Sequence, residues 1–246
     1  MIDKISKTAI VTGASRGIGA AVAKRLASDG LAVVINYSAD AKPADALARE
    51  IETSGGRALT AKADVSDADA MRGMFDAAQA AFGGIDVLVN NAGIMSLAKI
   101  ADSDDALFDR QIAVNLKGSF NGMREAARRL RDGGRIVNFS TSVVGTKLET
   151  YSVYAATKSA VETMTAILAK ELRGRNITVN AVAPGPVTTD LFLNGKTPEL
   201  IDRMAKMNPM ERLGSPEDIA SVVAFLVGPD GGWINGQVLR ANGGMV

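Results

Sequence analysis

The sequence of 246 residues predicts an α/β fold of three layers, in which a doubly wound parallel sheet of seven strands lies between two layers of helices. Short apolar runs alternate with longer helical patterns along the chain, which is typical of strand–helix–strand units with right-handed crossovers. Several runs are apolar throughout, as in strands that are covered on both faces. No linker, repeat or low-complexity segment interrupts this alternation, so we expect one domain over residues 1–246.

The order of the elements follows from the hydrophobic periodicity. The predicted strands are residues 8–11, 32–35, 57–61, 85–89, 135–139, 177–182 and 237–239. The predicted helices are residues 18–29, 43–54, 67–81, 104–131, 153–173 and 216–227. The longest stretch with neither pattern runs from Pro184 to about Pro209. Long loops in compact domains are usually functional, so we expect residues 184–212 to form a lid over a substrate site.

Composition excludes several classes of protein. With 28 basic and 27 acidic side chains, the formal net charge is +1 and no basic run suggests a nucleic-acid partner. No apolar run approaches the roughly 18 residues of a membrane-spanning helix. The chain has no cysteine and no histidine, so we expect no disulfide, no metal site and a cytoplasmic location.

A glycine-rich segment, TGASRGIG at 12–19, follows the first predicted strand and opens the first helix. Glycines at this spacing let the backbone turn tightly and approach a pyrophosphate, which the helix N-terminus stabilises. A plain tight turn is the alternative, but it does not need three glycines. The predicted phosphate-binding residues are Gly13, Ser15, Arg16, Gly17, Ile18 and Gly19.

The end of the second strand indicates which nucleotide binds. The chain reads Asn36-Tyr37-Ser38 there, and no carboxylate that could accept from a ribose 2′-hydroxyl occurs before Asp40. Arg16 can pair with a 2′-phosphate, and Asn36 and Ser38 can add neutral donors. These residues favour NADP over NAD, unless Arg16 is only a solvated loop residue.

Polar residues also follow the third and fourth strands. Asp64 and Val65 come after the third strand, where the carboxylate can accept from an adenine amino group or cap the next helix. The segment Asn91, Ala92 and Gly93 ends the fourth strand at the edge where such sheets bind ligands. We expect it to line the cofactor groove, although these residue types also form simple turns.

Tyr154 and Lys158 lie four residues apart in a predicted helix, so they share one helical face. An ammonium beside a phenol lowers the phenol pKa from its usual value near 10, which suits proton transfer. The pattern is short, and alone it also fits a tyrosine and a lysine on the surface of an amphipathic helix.

Taken together, the motifs resemble those of short-chain dehydrogenases/reductases of the compact kind, whose fold is of the Rossmann type. They occur in the family order: TGASRGIG at 12–19, NNAG at 90–93, VNLKG at 114–118, STS at 140–142, YAATK at 154–158, PGPVTTD at 184–190 and WINGQVLRANGG at 233–244. They are most similar to the motifs of 3-oxoacyl-carrier-protein reductases and tetrahydroxynaphthalene reductases.

The resemblance implies roles for individual residues. Tyr154 would be the acid in carbonyl reduction and the base in alcohol oxidation, while Lys158 would lower its pKa and hold the nicotinamide ribose. Asn115 would hold a water in a proton relay, or it is a buried amide bonded to the backbone. The nicotinamide and phosphates would be held by a segment that could also be a stiff turn: Pro184, Gly185, Val187 and Thr188. Such enzymes are commonly homotetramers.

The catalytic hydroxyl is ambiguous between neighbours. The spacing from Arg135 and from Tyr154 points to Thr141, whereas the Val-Val-Gly that follows favours Ser142. Adjacent strand residues face opposite ways, so we expect one of the two to reach the substrate. We slightly prefer Ser142, on the assumption that the strand end bulges by one residue.

The predicted function is NADP(H)-dependent reduction of a ketone or 3-oxoacyl group to a secondary alcohol. The alternatives are an NAD(P)-dependent alcohol or sugar dehydrogenase that works oxidatively, and a non-catalytic nucleotide-binding regulatory protein. The apolar lid residues that suit a hydrophobic substrate are Phe192, Leu193, Met204, Met207 and Met210. The alternative is core packing, because Leu200, Met204 and Met207 recur at helical spacing. A carrier-protein partner would need a basic patch. The candidate cluster, which also fits a solvated face, is Arg124, Arg128, Arg129 and Arg131, with Lys196, Arg203 and Lys206 on the lid.

Overall fold

The computed structural model describes residues 7–246 and confirms the predicted three-layer α/β fold. All seven strands are parallel and lie in the order β3-β2-β1-β4-β5-β6-β7. They are β1 (Thr8–Val11), β2 (Ala32–Tyr37), β3 (Arg57–Lys62), β4 (Ile85–Asn90), β5 (Leu130–Phe139), β6 (Thr178–Pro184) and β7 (Val238–Ala241).

Ten α-helical segments are described in residues 7–246. They are α1 (Gly17–Ser28), α2 (Ala41–Thr53), α3 (Ala68–Phe82), α4 (Asp105–Gln111), α5 (Gly118–Arg129), α6 (Val143–Thr146), α7 (Ser152–Glu171), α8 (Asp190–Leu193), α9 (Pro198–Ala205) and α10 (Pro216–Val227). Helices α1, α2 and α10 pack on one face of the sheet, and α3, α5 and α7 pack on the other.

Alternation along the strands supplies both halves of the core. In β1, Ala9 and Val11 face the layer of α1, α2 and α10, while Ile10 faces the opposite layer. All three side chains are fully buried, and burial of one large aliphatic side chain contributes about 1.5–3 kcal/mol. Continuously apolar strands therefore follow from a sheet that is covered on both faces.

The structure differs from the sequence prediction in three places. The predicted helix 104–131 is α4 and α5 joined by a π-helical segment, Ile112–Lys117. Its last residues belong instead to β5, which begins early because Leu130 pairs with Ile85. The stretch after Pro184 is not structureless, since it contains α8 and α9, and Thr197 caps α9 by accepting from the Leu200 amide.

The strand order fixes where a ligand can bind. The chain leaves β1 towards β2 and β3 on one side, and β4 then pairs with β1 on the other side. Such a reversal opens a crevice at the carboxyl ends of the strands. Within residues 7–246, none of the helices combines the length and the apolar character that crossing a membrane requires.

Candidate active site

Two connected hollows lie at the carboxyl ends of the strands. A groove of about 1230 Å³ and a cleft of about 890 Å³ share Ile18, Asn91, Gly93, Thr189 and Leu191 on their walls. The cleft contains Tyr154 and Lys158 together with part of the 184–188 segment, namely Pro184, Gly185 and Val187. The predicted cofactor residues that line the groove are Gly13, Ser15, Arg16, Gly17, Ile18, Gly19, Asn36, Tyr37, Ser38, Asp64, Val65, Asn91, Ala92 and Gly93.

The glycine loop needs its glycines for conformation and for space. Gly13 and Gly17 have φ values of 60° and 57°, a left-handed region that residues with a Cβ rarely adopt. A Cβ on Gly19 would lie 2.5 Å from Asn91 Nδ2 and from the Gly13 carbonyl oxygen. The loop can therefore pass close to a phosphate and lead directly into α1, as the motif predicted.

Asn36 holds the glycine loop in place and does not present free donors. Its Oδ1 accepts from the Gly13 amide at 3.0 Å, and its Nδ2 donates to the carbonyl oxygens of Ala61 and Ala63 at 3.2 and 3.0 Å. The side chain is buried. The expected role of Asn36 as a donor to the cofactor is therefore corrected to a structural one. Asn36 lines the groove beside Tyr37 and Ser38, but its amide is bonded to the backbone.

Asn91 joins the ends of β1 and β4. Its Nδ2 donates to the carbonyl oxygens of Thr12 and Gly13 at 2.8 and 3.1 Å. The Thr12 hydroxyl accepts from the amides of Asn91 and Ala92, each at 3.0 Å. The NNAG segment is thus the wall of the groove that faces the glycine loop.

The charged residues of the groove differ in their partners. Within residues 7–246, Arg16 is exposed and forms no ion pair. Asp64 accepts from the amide and hydroxyl of Ser66 at 2.9 and 2.7 Å, and the hydroxyl contact is the main cause that lowers its pKa. Arg110 Nη1 lies 3.7 Å from Asp64 Oδ2. The cap of α3 is Asp67 and not Asp64, so the capping alternative for Asp64 is wrong.

Tyr154 and Lys158 meet on one face of α7, as their spacing predicted. Lys158 Nζ lies 5.9 Å from the centre of the Tyr154 ring and donates to the Phe139 carbonyl oxygen at 2.9 Å. Burial raises the pKa of Tyr154 to about 12, against a lowering by its hydrogen bond with Thr141. Burial lowers the pKa of Lys158 to about 8. The prediction that the pKa of the phenol is lowered is therefore wrong. The sequence pattern indicated the neighbouring cation, but it could not indicate the desolvation that raises this pKa.

The two candidate hydroxyls face different surroundings. The Thr141 side chain interacts with the Tyr154 phenol and lowers its pKa. The Ser142 hydroxyl donates to the Ala183 carbonyl oxygen at 3.1 Å and accepts from Asn242 Nδ2 at 2.9 Å. The β5–β6 register runs without a shift up to Phe139, so the bulge that favoured Ser142 is not present. The geometry favours Thr141 as the hydroxyl beside the tyrosine.

Asn115 lies in the π-helical segment, a distortion that often occurs at functional sites. Its side chain is fully buried, and it exchanges two hydrogen bonds of 2.9 Å with the amide and carbonyl of Ile94. This is the arrangement of the backbone-bonded alternative. Asn115 thereby fixes the chain that leaves Gly93, next to Lys158.

Several site residues were missed or misplaced by one position. Thr188 is exposed, and its amide donates to the Gly214 carbonyl oxygen at 2.9 Å, so the neighbouring Thr189 lines the groove instead. The parallel bridge between Val187 and Gly214 decides this choice, and no local signal reveals it. Other lining residues outside the motifs are Met95, Arg110, Leu148, Tyr151, Asn194 and Met245.

The segment after β6 forms one wall of the cleft. Leu191 and Phe192 of α8 and Met204 of α9 line it. Of the three residues at helical spacing, Met204 is buried, whereas Leu200 and Met207 are 40% and 43% exposed. Core packing therefore accounts for one of them only.

Carboxylates offset part of the charge of the arginine cluster. Arg124, Arg128 and Arg129 lie 3.9, 3.8 and 3.7 Å from the carboxylate of Glu125, which is buried among them. Arg131 Nη1 lies 3.5 Å from Asp86. Three of the four arginines share the single charge of Glu125, so the cluster is an ion-pair network that keeps part of its positive charge.

Known proteins match this chain over almost its whole length. Residues 13–246 match the family described as Enoyl-(Acyl carrier protein) reductase. A short-chain type dehydrogenase/reductase of Picea abies is 46% identical over 98% of this chain and 92% of its own. An NADPH-dependent aldehyde reductase-like protein, chloroplastic, of Arabidopsis thaliana is 44% identical over 98% and 94%.

A solved structure has the same fold. A short chain dehydrogenase from Burkholderia cenocepacia J2315 in complex with NADP superimposes with a TM-score of 0.93, at 40% identity, over 99% of both chains. Identity of this extent over whole chains establishes the family. The chain belongs to the short-chain dehydrogenases/reductases, a family of NAD(P)-dependent oxidoreductases, as the motifs predicted.

Proposed function

We propose that the protein reduces a ketone on an apolar substrate to a secondary alcohol, with NADPH as the hydride donor. The observation that carries this proposal is the cleft that brings Tyr154, Thr141 and Lys158 together and continues into the dinucleotide groove. Phenol, hydroxyl and ammonium converge there, and this set can bind and protonate a developing alkoxide.

The residues of the groove fit a dinucleotide with a 2′-phosphate. The glycine loop has room for the pyrophosphate, and α1 offers its N-terminus. Arg16 is free to pair with a 2′-phosphate, while the carboxylate of Asp40 is used to cap α2. The NADP complex of the Burkholderia relative and the NADPH dependence named for the Arabidopsis relative support the same preference.

The proton in this proposal comes from Tyr154. When bound, the nicotinamide supplies the hydride. Thr141 donates to the carbonyl oxygen of the substrate and so orients it, while Tyr154 transfers its proton to the oxygen as negative charge develops. With a pKa of about 12, Tyr154 holds its proton throughout the neutral range, which suits reduction. Oxidation would have to begin from the phenolate.

The cleft favours an apolar substrate over a sugar. Its lining includes the apolar side chains of Met95, Leu148, Phe192, Met204 and Met245. These side chains cannot pair with sugar hydroxyls, and surfaces without such partners do not select for them. We propose that residues 184–212 act as the lid over this substrate. The 3-oxoacyl variant has less support, because Glu125 and Asp86 offset part of the charge of the arginine cluster.

Tyr154→Phe tests the proposal. We expect NADPH-dependent ketone reduction to fall by about 100- to 10,000-fold, since the acid is removed. NADPH binding, followed by fluorescence titration, should change by less than about threefold, because the ring is retained. Tyr151→Phe removes the hydroxyl of the neighbouring ring, whose centre lies 6.4 Å away, and should lose far less activity. Unchanged turnover in Tyr154→Phe contradicts the proposal.

A cofactor comparison separates the alternatives. Catalytic efficiencies with NADPH, NADH and their oxidised forms, over diverse ketones and alcohols, distinguish a reductase from an oxidative dehydrogenase. Tight NADPH binding without turnover of any carbonyl would favour the regulatory protein.

A homotetramer and a cytoplasmic location remain part of the proposal. The apolar side chains of Phe120 on α5 and Ile167 on α7 are 45% and 50% exposed, which supports assembly.

A further inference from the structure

Arg110 borders the groove without belonging to any motif of the sequence. It lies on α4, and its Nη1 approaches the carboxylate of Asp64 just after β3, at 3.7 Å. Both side chains line the same groove, and that of Arg110 is 59% exposed. The ion pair therefore joins the two sides of the groove at an end that Tyr154 does not reach.

Apolar side chains lie in the groove near this ion pair. Val65 and Val114 are both buried and line the groove, and Val114 follows Arg110 by four residues along the helical run. Asn121 Nδ2 holds the Val65 carbonyl oxygen at 2.9 Å, which fixes that wall. Aliphatic walls with a planar guanidinium suit a flat, uncharged heterocycle, because guanidinium planes stack on aromatic faces.

The two arginines of the groove are in different electrostatic states. Among residues 7–246, the charged residues that line it are Arg16, Arg110, Asp64 and Asp190. Arg16 forms no ion pair in residues 7–246, so its charge is available to a phosphate. The charge of Arg110 is offset by Asp64, which leaves its planar face as the binding surface.

We propose that Arg110 covers the adenine ring of the cofactor and so determines affinity for the adenosine half, without distinguishing NADP from NAD. This inference rests on the proposed function, because it requires a dinucleotide in the groove. It assigns separate tasks to the two arginines: Arg16 recognises the 2′-phosphate, and Arg110 recognises the base.

Two cofactor fragments test this division by direct binding. Calorimetric titration with 2′,5′-ADP and with 5′-AMP measures affinity without catalysis. Arg110→Ala should weaken both fragments by a similar factor, about three- to thirtyfold. Arg110→Lys keeps the charge but not the plane, so it should recover only part of this loss. Arg16→Ala should weaken 2′,5′-ADP by about tenfold or more and leave 5′-AMP unchanged.

The controls separate recognition from folding. Arg72→Ala breaks an exposed ion pair with Asp69 on α3, outside the groove, and should bind both fragments like the unaltered protein. Thermal unfolding shows that each variant is folded. Loss of 2′,5′-ADP binding alone in Arg110→Ala would make Arg110 a phosphate ligand and overturn the inference. Unchanged binding of both fragments would overturn it and leave the proposed function standing, whereas an unaltered protein that binds neither would overturn both.

Discussion

Thr141 and Ser142 are adjacent residues whose hydroxyls have unlike partners. Thr141 contacts the Tyr154 side chain, and Ser142 bridges the Ala183 carbonyl oxygen and Asn242 Nδ2. The Thr141 contact involves the phenol that would donate the proton in the proposed reaction. The second joins the end of β5 to the ends of β6 and β7, so the two hydroxyls should affect different measured quantities.

Thr141→Ala should lower kcat for ketone reduction by about 100-fold, since one preorganised donor to the developing oxyanion is lost, with little change in unfolding free energy. Ser142→Ala should lower the unfolding free energy by about 1–3 kcal/mol, because two buried partners lose their hydrogen bond, with a smaller effect on kcat. Steady-state kinetics and urea unfolding measure both, and Thr141→Ser should restore most of the activity. A Ser142→Ala variant that is stable but inactive would reverse the assignment.

At the residue scale, local spacing predicted which residues meet but not their surroundings. The four-residue interval in YAATK placed Tyr154 and Lys158 on one face. The direction of the Tyr154 pKa shift depends on burial by the cleft walls, which come from distant segments. The choice between the hydroxyls depends on Asn242, a hundred positions from Ser142, and no local pattern reveals such a partner.

At the scale of the elements, the end of β2 shows how the alternation of side chains along a strand gives neighbouring residues different roles. Asn36 is buried and bonded to the backbone of the glycine loop and to the chain at the end of β3, whereas Tyr37 borders the groove. A carboxylate at these two positions should therefore have different consequences. Only the position facing the groove can repel a 2′-phosphate.

Tyr37→Asp should lower kcat/KM with NADPH by about 10- to 100-fold and raise the preference for NADH, because a carboxylate repels the 2′-phosphate and can accept from a ribose hydroxyl. Tyr37→Asn is the matched neutral control. Asn36→Asp should leave the preference unchanged but lower the unfolding free energy by about 2 kcal/mol or more, because a carboxylate would face the carbonyl oxygens of Ala61 and Ala63. A cofactor switch in Asn36→Asp would contradict this division.

Periodicity predicted the regular elements well and the irregular ones poorly. Strand β1 and helix α10 have the predicted bounds. The π-helical segment Ile112–Lys117 was missed because its apolar pattern resembles that of an ordinary helix. The first residues of β5 include Gly133 and Gly134. Glycines weaken a strand pattern, so the sequence predicted a later start for this strand. Helices α8 and α9 are short and lie among prolines and glycines, so the sequence pattern predicted a loop there.

At the scale of the whole molecule, the alternation of strands and helices predicted the layers, and the handedness of crossovers restricted the topology. Active-site residues from β4, β5 and α7 then converge at one edge of the sheet. This convergence has a cost, because Lys158 is 3% exposed and pairs with a carbonyl oxygen, with no ion pair to a carboxylate among residues 7–246. Buried unpaired ammonium groups destabilise a fold.

Lys158→Met should therefore raise the unfolding free energy at pH 7. The net gain should be on the order of 1–2 kcal/mol, because the loss of the hydrogen bond to Phe139 offsets part of it. Activity should disappear. The pKa of Lys158 is lowered by burial from 10.5 to about 8, so between these values the unfolded chain binds more protons than the folded one. The unfolding free energy of the unaltered protein should accordingly rise with pH across that window. The difference in unfolding free energy between Lys158→Met and the unaltered protein should therefore shrink. Urea unfolding of both proteins at pH 7 and pH 10 measures this difference; a gap that stays constant with pH would show that the lysine is not destabilised by its burial.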